Sequence, residues 1–183
     1  YHNIDAVNVS IDFYDEIDLT INATGNYSLE CNWPDLPTDA NNHLIKAARQ
    51  VLEGTGLGVS MCLTKRIPVG AGLGGGTSDA ATLIRYLGRV LKVGERNLMP
   101  KALAVGSDVP YSLVGGPARV RGRGELVEPM TGVSPLRLVI LNPGGGHKTQ
   151  SVYARMAPSH IRAHPPVEPF IDAWKRGDLV NLG

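Results

Sequence analysis

Residues 68–83, PVGAGLGGGTSDAATL, place Gly70, Gly72, Gly74, Gly75 and Gly76 within nine positions, directly ahead of a helical pattern. Glycine reaches backbone conformations closed to other residues and weakens regular elements, so such a run belongs at a junction between them. The residues before it, GVSMCLTKRIP, alternate with Val59, Met61 and Leu63 on one side and read as a strand. The residues after it hold Ala80, Leu83, Ile84, Leu87, Val90 and Leu91 on one helical face. Thr77, Ser78 and Asp79 are good capping residues and are expected to start that helix. Strand, glycine loop, cap and helix together turn unpaired N–H groups and the positive helix end toward an anion, so a phosphate cradle is expected.

Several kinds of loop share that order. A Walker loop needs Lys before the closing Ser/Thr, and Gly76 stands where that Lys would be. The dinucleotide pattern GxGxxG is present as Gly70, Gly72 and Gly75. It calls for an acid about 20 residues on, at the end of a second strand. Glu95 lies near that distance, in KVGERN, where no strand is legible. A structural turn without a ligand is the remaining local alternative.

Elsewhere, alternation predicts strands over 4–13, 18–23, 27–33, 117–123 and 136–142. Leu44, Ala47, Ala48, Val51 and Leu52 predict a helix that ends at Gly54. Shorter helices are predicted over 98–105, near Ser151 to Met156, and from Ile171 onward, the last two separated by the Pro/His-rich PSHIRAHPPVEP. Strands and helices do not alternate strictly, so the fold class is α+β or an irregular α/β. With 183 residues, 43% of them hydrophobic, the chain can bury a real core. Lys and Arg total 18 against 17 Asp and Glu, which leaves no broad field for nucleic acid or anionic lipid. No apolar run reaches the length of a membrane span. Cys31 and Cys62 form no CxxC pair and are expected to be buried thiols in a reducing cytoplasm. The first residue is Tyr rather than Met, and Asp178-Leu179 falls within a helical pattern, so the chain is expected to be part of a longer one.

Three further features bear on chemistry. Asp108, in Gly-Ser-Asp-Val-Pro, reads either as a helix cap followed by Pro110 or as a carboxylate that accepts a proton. His160 and His164 have i,i+4 spacing, but no Glu accompanies them and Pro165-Pro166 follow, which argues against a metal site. Metal ligands are left unassigned. Arg119, Arg121 and Arg123 alternate along one strand and are expected on a solvated face rather than on RNA.

The stretch PVGAGLGGGTSDAA resembles the second signature of the GHMP kinases, P-x-G-x-G-L-G-[GS]-S-[AS]-A, the small-molecule kinases for galactose, homoserine, mevalonate and phosphomevalonate. It is most similar to the branch acting on 4-diphosphocytidyl-2-C-methyl-D-erythritol, a cytidine diphosphate conjugate of the non-mevalonate isoprenoid route. Other segments of that branch have counterparts in order: Tyr1-His2-Asn3, Asn42-His43-Leu44-Ile45-Lys46-Ala47-Ala48, Gly106 to Pro110, Pro143-Gly144 with Thr149 and Tyr153, and Gly177-Asp178-Leu179. The family's first signature, with its Lys, and its third, a Gly-Ser-Gly loop, are not among the 183 residues.

The resemblance implies a two-domain α+β fold. Residues 1–148 would be the ATP-binding domain, of the kind called ribosomal-protein-S5-domain-2-like. Residues 149–183 would be a linker and the start of a ferredoxin-like C-terminal domain. It implies ATP and Mg2+, with Pro68, Gly70, Gly72, Leu73, Gly74, Gly75, Gly76, Thr77 and Ser78 at the nucleotide phosphates. Asn42 and Lys65 would lie near the adenine and its ribose, and Tyr1, His2, Thr149 and Tyr153 at the cytidine. Asp108 would contact the substrate and act as base. The implied function is cytoplasmic phosphorylation of the substrate's 2-hydroxyl, with a small molecule, not a nucleic acid or membrane, as partner. Oligomeric state is unassigned. Another kinase of the family, acting on a mevalonate-type substrate, and a nucleotide-binding module without catalysis are the alternatives.

Overall fold

The computed structural model describes residues 3–142, 144–146, 151, 154–155 and 166–178. At its centre is β4 (Gly58–Thr64), whose Val59, Met61 and Leu63 all turn inward. β2 (Glu16–Asn22) pairs with it antiparallel and sets Ile17, Leu19 and Ile21 opposite those three residues. β3 (Tyr27–Cys31) pairs on the other side, parallel. Parallel neighbours need a crossover, which α1 (His43–Leu52) supplies. Its Leu44, Ile45, Ala47, Ala48, Val51 and Leu52 are buried, and they join the inner face of the sheet in one core. α2 (Gly75–Val90) and α3 (Glu95–Val105) contribute Leu83, Ile84, Leu87, Leu98 and Ala102 to the same cluster, and the short α4 (Val109–Val114) contributes Val109.

A second, fully antiparallel sheet is built from β1 (Ile4–Asn8), β5 (Ala118–Gly122) and β6 (Leu126–Pro129), with β5 in the middle. α5 (Glu168–Arg176) is attached near this sheet. Its Trp174 is buried and donates its indole N–H to the Ser134 carbonyl at 2.8 Å. Arg119 on β5 makes a two-pronged pair with Asp5 on β1, at 2.8 and 2.7 Å, and reaches Glu168 on α5 at 2.9 Å. Arg121 is ion-paired with Glu128. These two arginines therefore face carboxylates along the strand.

Two small sheets with helices packed on one of them make the α+β class expected from the pattern. Some local expectations are corrected. The first strand stops at Asn8 instead of continuing to residue 13. Residues 136–142 join no ladder among the described residues: Val139 and Leu141 are 97% and 92% exposed. The strand in this region is instead β6, too short at four residues to register as an alternation. Cys62 is exposed and Cys31 half-buried. With a side-chain period of two, Met61 and Leu63 inward require Cys62 outward. The helix near Ser151 to Met156 and residues 157–165 lie mainly outside the described residues. No helix among the described residues is long and apolar enough to cross a membrane.

Candidate active site

Where β4 ends, the chain drops Lys65 into the interior and rises into the glycine loop. A cleft of about 780 Å³ opens there between the loop, the start of α1 and the turn before α4. Gly70, Gly72 and Gly74 have φ of 71°, 76° and 68°, the left-handed region that favours glycine. Gly74 is the residue before α2, and no side chain caps the helix. The expected caps lie inside the first turns instead: the Thr77 hydroxyl donates to the Gly74 carbonyl and the Ser78 hydroxyl to the Gly75 carbonyl, both at 2.8 Å. Those hydroxyls turn back on the loop's carbonyls. The first amides of α2, at Gly75 and Gly76, have no acceptor within the helix, and both residues line the cleft.

Beneath the loop, Lys65 is buried with two carboxylates. Its ammonium donates to Asp15 and, at 3.1 Å, to Asp79 Oδ2. Asp15 also accepts the backbone N–H of Arg66 at 2.5 Å and of Ile67 at 2.8 Å. The Asn32 side chain holds both ends of the Lys65 peptide, accepting its N–H at 2.7 Å and donating to its carbonyl at 3.2 Å. The two acids differ in consequence. Burial acts upward on Asp15, but the Lys65 hydrogen bond and the two backbone N–H groups outweigh it and hold its pKa below the usual value. Asp79 has only the ammonium as a donor, so burial, helped by the Asp15 charge, pushes it up to about 6 against the pull of Lys65.

On the opposite wall, Asn42 is the N-cap of α1: its Oδ1 accepts the Leu44 N–H at 2.8 Å and its Nδ2 donates to the Pro37 carbonyl at 2.7 Å. Asp108 precedes α4, with Pro110 in the first turn as expected, but its side chain makes no capping hydrogen bond. The exposed carboxylate borders the same cleft as the glycine loop. Its turn is braced from behind by Gly124, where an added Cβ would fall 2.5 Å from the Ser107 carbonyl oxygen. Gly146 packs on the loop itself, its missing Cβ 2.8 Å from the Val69 carbonyl oxygen.

The cleft thus gathers Pro68, Gly70, Gly72, Leu73, Gly74, Gly75, Gly76, Thr77, Asn42, Lys65 and Asp108 from four separated segments. Ser78 is not part of its lining. Tyr1, His2, Thr149 and Tyr153 lie outside the described residues. The sequence reading missed Asp15 and Asp79 as partners of Lys65. Asp15 sits in a polar turn, YDEID, that looked like ordinary loop, and Asp79 looked like a cap.

A family model described as the GHMP kinases N terminal domain matches residues 42–116. The whole chain aligns with proteins named 4-diphosphocytidyl-2-C-methyl-D-erythritol kinase. That of Chlorobium phaeobacteroides is 39% identical over 188 residues, with 65% of its length covered. That of Thermotoga petrophila is 38% identical over 185 residues, with 67% covered. That of Alkaliphilus metalliredigens is 33% identical over 186 residues, with 64% covered. The chain spans about two thirds of the length of these curated relatives, slightly less in the first and third. A crystal structure of 4-(cytidine 5'-diphospho)-2C-methyl-D-erythritol kinase superposes with a TM-score of 0.70 at 36% identity, over 89% of this chain and 59% of that one. A homoserine kinase from Cytophaga hutchinsonii superposes with a TM-score of 0.66 at 19% identity, over 92% of this chain and 61% of that one, a likeness of fold alone.

Proposed function

The chain belongs to the GHMP kinases, and from that premise we propose that it transfers the γ-phosphoryl group of ATP to the 2-hydroxyl of 4-diphosphocytidyl-2-C-methyl-D-erythritol. The observation that carries the reaction class is the meeting of Asp108 with the uncapped start of α2 in one cleft. Phosphoryl transfer asks little covalent chemistry of a protein beyond positioning and charge stabilisation. The first amides of α2 and the flexible loop can hold phosphate oxygens close to the backbone, where no Cβ intervenes. Asp108, uncommitted as a cap, can receive the hydroxyl proton as the alcohol oxygen bonds to the γ-phosphorus and the bond to the β,γ-bridging oxygen breaks, releasing ADP.

Lys65 stiffens the floor under the loop, and Asn42 sets the position of α1 at the nucleotide end. The substrate assignment is supported by the names of the relatives at 33–39% identity. In this reading Tyr1, His2, Thr149 and Tyr153 contact the cytidine. No group of three or more His, Cys, Asp or Glu suited to a metal occurs among the described residues. A Mg2+ ion bound with the nucleotide would supply charge neutralisation at the phosphates.

The test is direct. Purified protein containing this chain is incubated with ATP, Mg2+ and either the cytidylyl substrate or mevalonate, and ADP release is followed. Turnover of the first alone is expected, with Asp108→Asn lowering kcat by about a hundredfold or more. Turnover of mevalonate alone would move the assignment to another member of the family. An unchanged rate in Asp108→Asn would remove Asp108 from the mechanism.

A further inference from the structure

His43, the first residue of α1, lines the cleft between the two parts that the kinase reading joins. A Cβ on Gly76 would lie 3.2 Å from its Nδ1, and one on Gly106 would lie 3.7 Å from its Nε2. The imidazole is therefore seated between the first turn of α2 and the turn that delivers Asp108. It makes no hydrogen bond among the described residues, and neither ring nitrogen is sealed from solvent. A half-buried imidazole with both nitrogens unengaged, beside an uncapped helix start, has the geometry of a ligand contact rather than of core packing.

The charges around it are few. Lys46 lies one turn along its own helix and Asp108 faces it from the turn before α4. The first turn of α2 brings no charged side chain, since Asp79 further along is engaged by Lys65. Burial, and next the Lys46 charge, push the imidazole below its ordinary pKa, while Asp108 acts the other way. Without a neighbouring phosphate the ring is thus neutral at neutral pH. A polyphosphate at the start of α2 would add several negative charges beside it and favour the imidazolium.

We propose that His43 is a nucleotide-contacting residue that hydrogen-bonds the phosphate chain of bound ADP or ATP and takes up a proton as the nucleotide binds. This rests on the kinase reading and adds to it a proton-linked binding step that involves no acceptor substrate. The sign follows from linkage. If the bound state holds more protons than the open one, affinity falls as pH rises through the interval between the two His43 pKa values, which begins below 6.5.

The experiment is calorimetric titration of the protein with ADP between pH 5.5 and 8, in two buffers of different ionisation heat, comparing the wild type with His43→Gln. Glutamine keeps a donor and an acceptor and cannot titrate. A one-unit upward shift on binding would make wild-type affinity about tenfold tighter at the acid end, after subtraction of the variant's curve, with proton uptake seen in the buffer comparison. His43→Gln is expected to bind within about threefold of wild type at pH 8 and to lose the excess slope. Equal slopes and equal proton counts in the two proteins would overturn the inference and leave the kinase reading standing. Failure of both to bind ADP at any pH would overturn the kinase reading and this inference with it.

Discussion

The ammonium of Lys65 rests against the Cα of Gly75, so that a Cβ there would lie 2.8 Å from the nitrogen and 3.0 Å from Ile67 Cγ2. The first residue of α2 is glycine because the buried cation occupies the space of its side chain. Gly75→Ala must displace the ammonium and disturb its pairing with the two buried carboxylates, Asp15 and Asp79. Better helix propensity returns up to about 1 kcal/mol. The strain and the weakened pair cost more, and a net loss of about 1–2 kcal/mol is expected in urea denaturation. A variant as stable as the wild type would show that Lys65 can retreat without cost.

The same cluster gives stability a pH signature. The folded-state pKa of Asp79 is raised to about 6 from 3.8, chiefly by burial. The folded form therefore binds this proton more tightly than the unfolded form. Its stabilising contribution is complete below 3.8 and is lost as pH rises through about 6. A shift of this size corresponds to at most about 3 kcal/mol. Asp79→Asn removes the titration, so the difference in melting temperature, variant minus wild type, is expected to climb between pH 4 and about 6.5 and then level off. Asp15 works in the opposite sense, its pKa lowered, and its contribution is lost as pH falls through the folded value. A flat difference curve would mean that Asp79 does not titrate in this window.

Behind Asp108, Gly124 has a φ of +118°, and a Cβ would fall 2.5 Å from the Ser107 carbonyl oxygen. Backbone cannot rotate out of the way as a side chain would. Gly124→Ala is expected to shift the Ser107-Asp108 turn. In a reaction governed by placement, a displacement near 1 Å lowers kcat by tenfold or more, up to about a hundredfold. The KM for ATP should change little, because the start of α2 is untouched. Parallel loss of both, with loss of folded protein, would show a stability defect instead.

Trp174 is 2% exposed, meets Phe170 edge-on at 5.9 Å and donates to Ser134, but it lies outside the cluster formed by α1, α2 and β4. Trp174→Ala should cost about 3–5 kcal/mol of the docking of α5. Hydrogen exchange is expected to speed up in residues 168–176 while the amides of α2 keep their protection. Equal acceleration in both would make α5 part of the same cooperative unit as the core.

The glycine run, the helix after it and the strand before it were legible because each rests on local rules: backbone freedom, period 3.6 and period 2. Asp108 was legible from its local pattern as a choice between cap and base, which the family resemblance turned toward the base, and its side chain makes no capping hydrogen bond. The floor of the site was not legible. Asp15 and Lys65 are 50 residues apart, and their pairing depends on the register of β2 against β4, which no local pattern reports. The strand assigned to 136–142 failed for a related reason: alternation and apolar content show that a segment can pair, whereas a ladder also needs a neighbour.

Gly75, Gly76, His43 and Lys65 stand on elements that share one core, whereas Val69, Gly70 and Gly72 are exposed and Ala71 is tied by a 3.4 Å bond from its N–H to the Pro68 carbonyl. The cradle therefore divides into a floor seated on the core and a rim exposed to solvent. Under the kinase reading, admission of nucleotide and departure of product would fall to the four residues 69–72 at the lip.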